Sequence, residues 1–251
     1  MISLLGTIRK LREAPKLEPV TLEIEGREVK LSFRRNAKCK RMVLRLTADG
    51  AGAIITLSPR ASKAEALRFA ETSKPWLIKT MEKRVAPVPF AHDHKIPFNG
   101  QLHTIIATGG RRGVITHGPE PMTISVPGDE AHVARRLSDW LKAQAKEKLQ
   151  RASQDYAAAM QTKFRKLTIR DQKSRWGSCS ATGDLSYSWR LVLAPPEVLD
   201  YVAAHEVAHL KEMNHGPRFW RLVVTHCKTA KQARRWLREH GRELHSYGVA
   251  I

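Results

Sequence analysis

Residues 201–215 read YVAAHEVAHLKEMNH, and this stretch restricts the fold more tightly than any other. His205, Glu206 and His209 stand in the order H-E-x-x-H. On an α-helix, side chains four residues apart share a face and lie about 6 Å apart along the axis. Two imidazoles so placed can bind one zinc ion. A carboxylate one step around the helix reaches a water beside that ion without itself binding the metal. Glu206 is therefore the expected general base. The fold must supply a helix here and leave one face of it open to a metal.

Two histidines leave a tetrahedral ion with two open positions, so retention needs a third ligand. His215 is expected to provide it. Continuing the same helix would carry His215 about 15 Å beyond His205. The chain must therefore turn back after Lys211, and Asn214, Gly216 and Pro217 are residue types that stop a helix and permit a sharp bend. A buried helix with hydrogen-bonded core histidines is the rival reading. It accounts for a lone H-E-x-x-H more readily than for this extended form.

A length of 251 residues with 42% hydrophobic content suits one large domain or two modest ones. The formal net charge of +20 favours anionic partners, among them nucleic acid, nucleotides and acidic proteins. Cys39, Cys179 and Cys227 are too few and too scattered for a disulfide framework or a C-x-x-C zinc knuckle, which points to a reducing compartment. The opening MISLLGTIRKLREAPKL has too short an apolar run for a signal peptide. With no run of about 18 apolar residues, a cytoplasmic protein without a membrane partner is expected.

Alternation of Val20, Leu22 and Ile24, then Val29, Leu31 and Phe33, predicts a hairpin about Glu25-Gly26. A basic run at residues 34–45 follows, then a further strand from Ala53 to Leu57 after an Asp49-Gly50 turn. Ser62 and Glu65 form a capping box ahead of a helix, and Pro75 starts another. Short strands are expected near 102–107, 114–117 and 122–126. His92 and His94 have the wrong surroundings to complete a metal site. From Asp129 an apolar stripe through Val133, Leu137, Leu141, Ala145, Leu149, Tyr156 and Phe164 predicts one long helix. Pro127-Gly128 before it is the expected domain boundary. Beyond it, a hairpin about Thr182-Gly183-Asp184 sends a strand through Leu185, Tyr187, Trp189 and Leu191 toward the metal helix. That strand is a candidate edge for an extended peptide. Phe219, Trp220, Val223 and Val224 are expected to pack beneath the metal site, and the last helix exposes Arg234, Arg235 and Arg238.

The blocks K-S-R-W-G-S-C at 173–179, W-R-L at 189–191, A-P-P at 194–196 and the stretch 205–220 resemble the YgjP-like metallopeptidases, a group similar in its core to the SprT and WLM zincin-type proteases. The resemblance is nearly continuous over 166–220. It implies zinc held by His205, His209 and His215, with Glu206 catalytic. The histidine spacing also fits the metzincins, but Glu212 stands where that group has a glycine. The expected fold is α+β: a β-rich domain with short helices at 1–127, and a zincin-like domain at 128–251.

The leading expectation is a zinc-dependent hydrolase, and specifically a metallopeptidase acting on protein or peptide. Tyr187, Tyr201, Arg175 and Arg218 are candidate donors to the oxyanion. One alternative is a nucleotide or phosphoanhydride hydrolase using Arg34, Arg35, Lys40 and Arg41 to neutralise phosphates. Another is a nucleic-acid-associated protein whose zinc is structural and closed by Cys179 or Cys227.

Overall fold

A computed structural model of the chain describes residues 17–47, 52–82, 85–110, 113–119, 121–172 and 174–248. The Asp49-Gly50 turn and Lys173 lie outside them. The chain divides into two compact units, Met1–Arg84 and Val85–Ile251.

In the first unit, β1 (Val20–Ile24) and β2 (Arg27–Arg35) pair antiparallel. Glu25 and Gly26 join them with φ of 50° and 72°, the left-handed values that a two-residue hairpin turn requires. With β3 (Val43–Leu46) and β4 (Gly52–Leu57) they form one sheet in the order β1-β2-β4-β3, in which β2 and β4 are parallel. The capping box of Ser62 and Glu65 opens α1 (Lys63–Thr72), and α2 (Lys74–Glu82) follows at once. Ala66, Ala70 and Leu77 of these helices share a core with Leu31, Ile55 and Leu57 of the sheet. Within the basic run, Arg35 donates to the carbonyls of Ser58, Pro59 and Ala61, so its guanidinium clamps the turn between β4 and α1.

The second unit opens with β5 (Lys95–Phe98), β6 (Gln101–Ala107), β7 (Thr116–Pro119) and β8 (Met122–Val126), in the order β5-β6-β8-β7. The long helix α3 (Glu130–Ala159) buries Val133, Leu137, Leu141, Ala145 and Leu149 along the expected stripe, with Phe164 beyond its end. A three-stranded sheet follows, built from β9 (Lys166–Arg170), β10 (Gly177–Cys179) and β11 (Asp184–Ser188). Next come a 3-10 turn (Trp189–Leu193), α4 (Pro196–Ala208), α5 (Pro217–His226) and α6 (Ala230–His240). Sheets thus dominate the N-terminal part and helices the C-terminal part.

Three expectations need correction. Residues Pro127 and Gly128 fall inside the second unit, because Ile96, Phe98, Ile105, Ile124 and Val126 of the sheet share a single core with α3 and the later helices. The strand through Leu185 stops at Ser188: all five residues of the following turn are buried, so Trp189 and Leu191 show no in-out alternation. That strand is also no edge. In the order β10-β11-β9, β11 has neighbours on both sides, and the outer edge nearest α4 belongs to β10. Among the described residues no helix is long and apolar enough to cross a membrane.

Candidate metal centre

Pro196 occupies the first turn of α4, where its fixed φ suits a helix and its missing N–H is not needed. Val198, Val202, Ala203, Ala204 and Val207 are all buried, so the helix is enclosed by core nearly all round. A carboxylate on such a helix is costly to keep without a role, yet Glu206 is only 6% exposed.

His205 lies in the last turn of α4 and His209 is its C-cap, still at helical angles of φ −63° and ψ −20°. The helix therefore ends a little sooner than expected. The chain reverses before Pro217 at the start of α5, and this brings His215 back to the other two rings. The three side chains offer ligand atoms all within 4.8 Å of one another. Among the described residues this is the one group of His, Cys, Asp and Glu side chains so arranged, and it can hold a metal ion.

Phe219, fully buried on the first turns of α5, forms the floor. Its ring centre lies 4.8 Å from His205, 4.5 Å from His209 and 4.7 Å from His215. Val223 is buried with it, whereas Val224 is 53% exposed and does not join the packing expected of it.

The hydrogen bonding sorts the ring nitrogens. His209 Nδ1 lies 3.1 Å from the Glu212 carbonyl, which only an N–H can satisfy, so the lone pair is at Nε2. The Nε2 atoms of His205 and His215 face each other at 3.0 Å, while His205 Nδ1 is buried without a partner. Burial, together with the neighbouring charges of His209, His215 and Arg234, pushes His205 down to about 3. Burial also lowers His209, against the opposing bond to Glu212. Both rings are thus neutral near pH 7, the state a metal ligand requires. Burial pushes Glu206 up to about 8, with the charge of Arg175 opposing.

Neither candidate thiol reaches the group. Cys227 Sγ lies 3.9 Å from Asp200 Oδ2 and 3.5 Å from Thr229 Oγ1, and Cys179 Sγ lies 3.4 Å from the Ser180 carbonyl. His92 Nδ1 accepts the N–H of Ala107, a structural contact.

The family model for the YgjP-like, metallopeptidase domain matches residues 40–240. The chain belongs to the YgjP-like metallopeptidase family. Comparison with curated proteins and with solved structures gives no match. The YgjP-like match reaches well before the blocks at 166–220 that carry the resemblance in the sequence, and takes in the basic strand near Arg41.

Within this YgjP-like domain the four candidate oxyanion donors separate. Tyr187 is fully buried and shares a hydrogen bond with Ser153, 3.0 Å away, so its hydroxyl is engaged in the core. Arg218 lines a different cavity, with Lys211 and Arg221. Tyr201 and Arg175 line the cleft that contains His205 and Glu206. Sequence reading missed the part played by Gly177. A Cβ at this position would stand 2.6 Å from Glu206 Cγ and 2.6 Å from its Oε1, so β10 approaches the carboxylate as only a glycine allows. An isolated glycine in a strand is the available signal for such an approach.

Proposed function

We propose that this protein is a zinc-dependent peptidase in which His205, His209 and His215 hold the ion and Glu206 is the general base. The observation that carries the reading is the convergence of three imidazoles, drawn from a helix end and a returning loop, next to a buried carboxylate. The donor set fits zinc. Two nitrogens bound to one tetrahedral zinc at roughly 2.0–2.1 Å stand roughly 3.3 Å apart, close to the 3.0 Å between the Nε2 atoms of His205 and His215. Two neutral imidazole nitrogens at that distance need a proton or a cation between them. When bound, zinc supplies Lewis acidity, making a water more acidic and polarising the scissile carbonyl.

The remaining steps fall to the chain's own groups. Glu206 takes the proton of the attacking water and delivers it to the departing amine. Its burial, which favours the protonated acid, suits the second half of that transfer. Tyr201, whose ring is buried on the turn before His205 and whose hydroxyl has no hydrogen bond among the described residues, donates to the developing oxyanion. The outer edge of β10, beside Glu206, accepts an extended substrate by β-augmentation. A structural zinc would need a fourth protein ligand, and the positions of Cys179 and Cys227 offer none.

The test is zinc analysis of the purified protein together with hydrolysis of a peptide library and of nucleoside triphosphates. Zinc-dependent peptide cleavage is expected; phosphate release without peptide cleavage contradicts the reading. His215→Ala is expected to lower the zinc retained after dialysis well below that of the parent, measured by elemental analysis. Equal retention would remove residue 215 from the ligand set. Gly177→Ala is expected to displace the Glu206 carboxylate and lower kcat by about 10²-fold, since a misplacement of about 1 Å suffices for that. Zinc content should not change. An unaltered kcat would mean that the close approach of β10 does not position the base.

A further inference from the structure

Beside His205 and Glu206 the second unit forms a cleft of about 340 Å³, at the small end for ligand pockets. Three of the residues lining it are arginines: Arg175 just before β10, and Arg234 and Arg238 on α6. The last two stand four residues apart and so share a helix face. Glu206 is the one acidic side chain in the lining. Among the described residues none of the three arginines has a carboxylate within ion-pair distance. Other arginines in this unit do: Arg165 pairs with Asp184 at 2.6 Å, and Arg235 takes Glu239 at 2.9 Å.

Arg234 is also held in place. Its guanidinium carbon lies 4.5 Å from the centre of the Trp220 ring, a stacking that restrains the fork while leaving its N–H edge free. Trp220 in turn packs 5.9 Å from both His205 and His215. The cleft thus has a pre-oriented guanidinium, two further cations and the free hydroxyl of Tyr201 around a volume adjoining the reacting atoms. Three guanidinium groups facing a single carboxylate leave the cleft with an excess of positive charge, which an anionic group entering it offsets.

We propose that this cleft binds a carboxylate of the substrate, so that the enzyme selects peptides carrying an acidic side chain or a free C-terminal carboxylate close to the scissile bond. The planar fork of a guanidinium matches the two oxygens of a carboxylate. The inference rests on the peptidase reading above and assigns Arg234 and Arg238 to specificity, with no part in the bond-breaking step.

The experiment uses zinc-loaded Glu206→Gln protein, titrated with peptides of one parent sequence and followed by fluorescence anisotropy. One peptide is neutral and C-terminally amidated, a set carries Glu moved through each position, and one has a free C-terminus. At least one carboxylate peptide is expected to bind about tenfold or more tightly than the neutral one, and which peptide does so identifies the source of the carboxylate. In an Arg234→Gln, Arg238→Gln double variant the preference should fall to within about twofold, while Lys231→Gln, an exposed change on the same helix, should keep it. Both arginines are exposed, so the double variant is expected to keep the parent's thermal melt. Absence of any preference overturns the proposal. So does a preference that survives in the double variant, since the overall charge of +20 would then be its cause. Measuring kcat/KM of the parent enzyme on the same peptides separates the two readings. No cleavage of any peptide defeats the peptidase assignment, whereas equal cleavage of all defeats the carboxylate site alone.

Discussion

Glu206→Gln is expected to lower kcat for peptide hydrolysis by about 10²–10⁴-fold, the range associated with loss of a general acid-base group, while zinc content stays that of the parent. The two halves of this outcome have separate causes. Glutamine keeps the shape of the side chain in the space left by Gly177, where even one added methyl group would collide. It cannot accept the proton of the attacking water. Zinc should remain because the carboxylate is not among the converging ligand atoms, which come from His205, His209 and His215. Stability should hold or rise, since burial already disfavours the charged carboxylate that the amide replaces. Turnover matching the parent would remove Glu206 from its role, and loss of zinc would recast it as a ligand.

The largest stability effect is expected from Arg190→Ala. Arg190 is 5% exposed, in the 3-10 turn that leads into α4. Its guanidinium donates to Asp171 Oδ1 at 2.9 Å and to the carbonyls of Leu244 and Tyr247 at 2.9 Å and 2.6 Å, and lies 4.5 Å from the centre of the Trp189 ring. One side chain therefore ties the segment after β9, the approach to α4 and the C-terminal turn together. Removing it leaves the Leu244 and Tyr247 carbonyls without their donor, at about 1–3 kcal/mol each, and a total of about 2–6 kcal/mol lowers Tm by roughly 4–24 °C for a chain of this size. Calorimetric unfolding measures it, and a loss below about 1 kcal/mol would mean that the network is not a tie. The partner gives the pH dependence. Burial raises the Asp171 carboxyl, but hydrogen bonding and charge from Arg190 outweigh it and hold the group below its ordinary value of 3.8. A depressed folded-state value means that the pair's contribution to stability is fully present above the ordinary value of 3.8 and is lost as pH falls through the folded value. Asp171 is half exposed, so its own removal should cost much less than removal of Arg190.

The parts of this structure that were legible in the sequence are those set by local chemistry. The β1–β2 hairpin follows from alternation plus one turn that only left-handed backbone closes, α1 from its capping box, and α3 from an apolar stripe kept over thirty residues. His205, His209 and His215 were legible as a group because helix geometry fixes the first two and the turn residues Asn214, Gly216 and Pro217 permit the third to return. What the sequence hid depends on contacts between distant residues. Pro127-Gly128 has the composition of a linker, but only the shared packing of Phe98, Ile124 and Leu137 shows it to be an internal turn. Tyr187 and Tyr201 are equivalent as donors until one is found bonded to Ser153 in the core and the other facing the cleft. Trp189 and Leu191 continue a strand pattern by eye, yet a fully buried turn satisfies the same run of apolar residues. Arg190 stands in one of the blocks that carry the resemblance, but its role as a tie was not legible, since its partners come from residues 171, 244 and 247.

X-ray absorption at the zinc edge of the purified protein tests the central claim most directly. Three imidazole nitrogens at roughly 2.0–2.1 Å, with no sulfur scatterer, are the expected ligands. Sulfur at about 2.3 Å, or fewer than three imidazoles on the ion, would contradict a metal centre built by His205, His209 and His215 with one place left for chemistry.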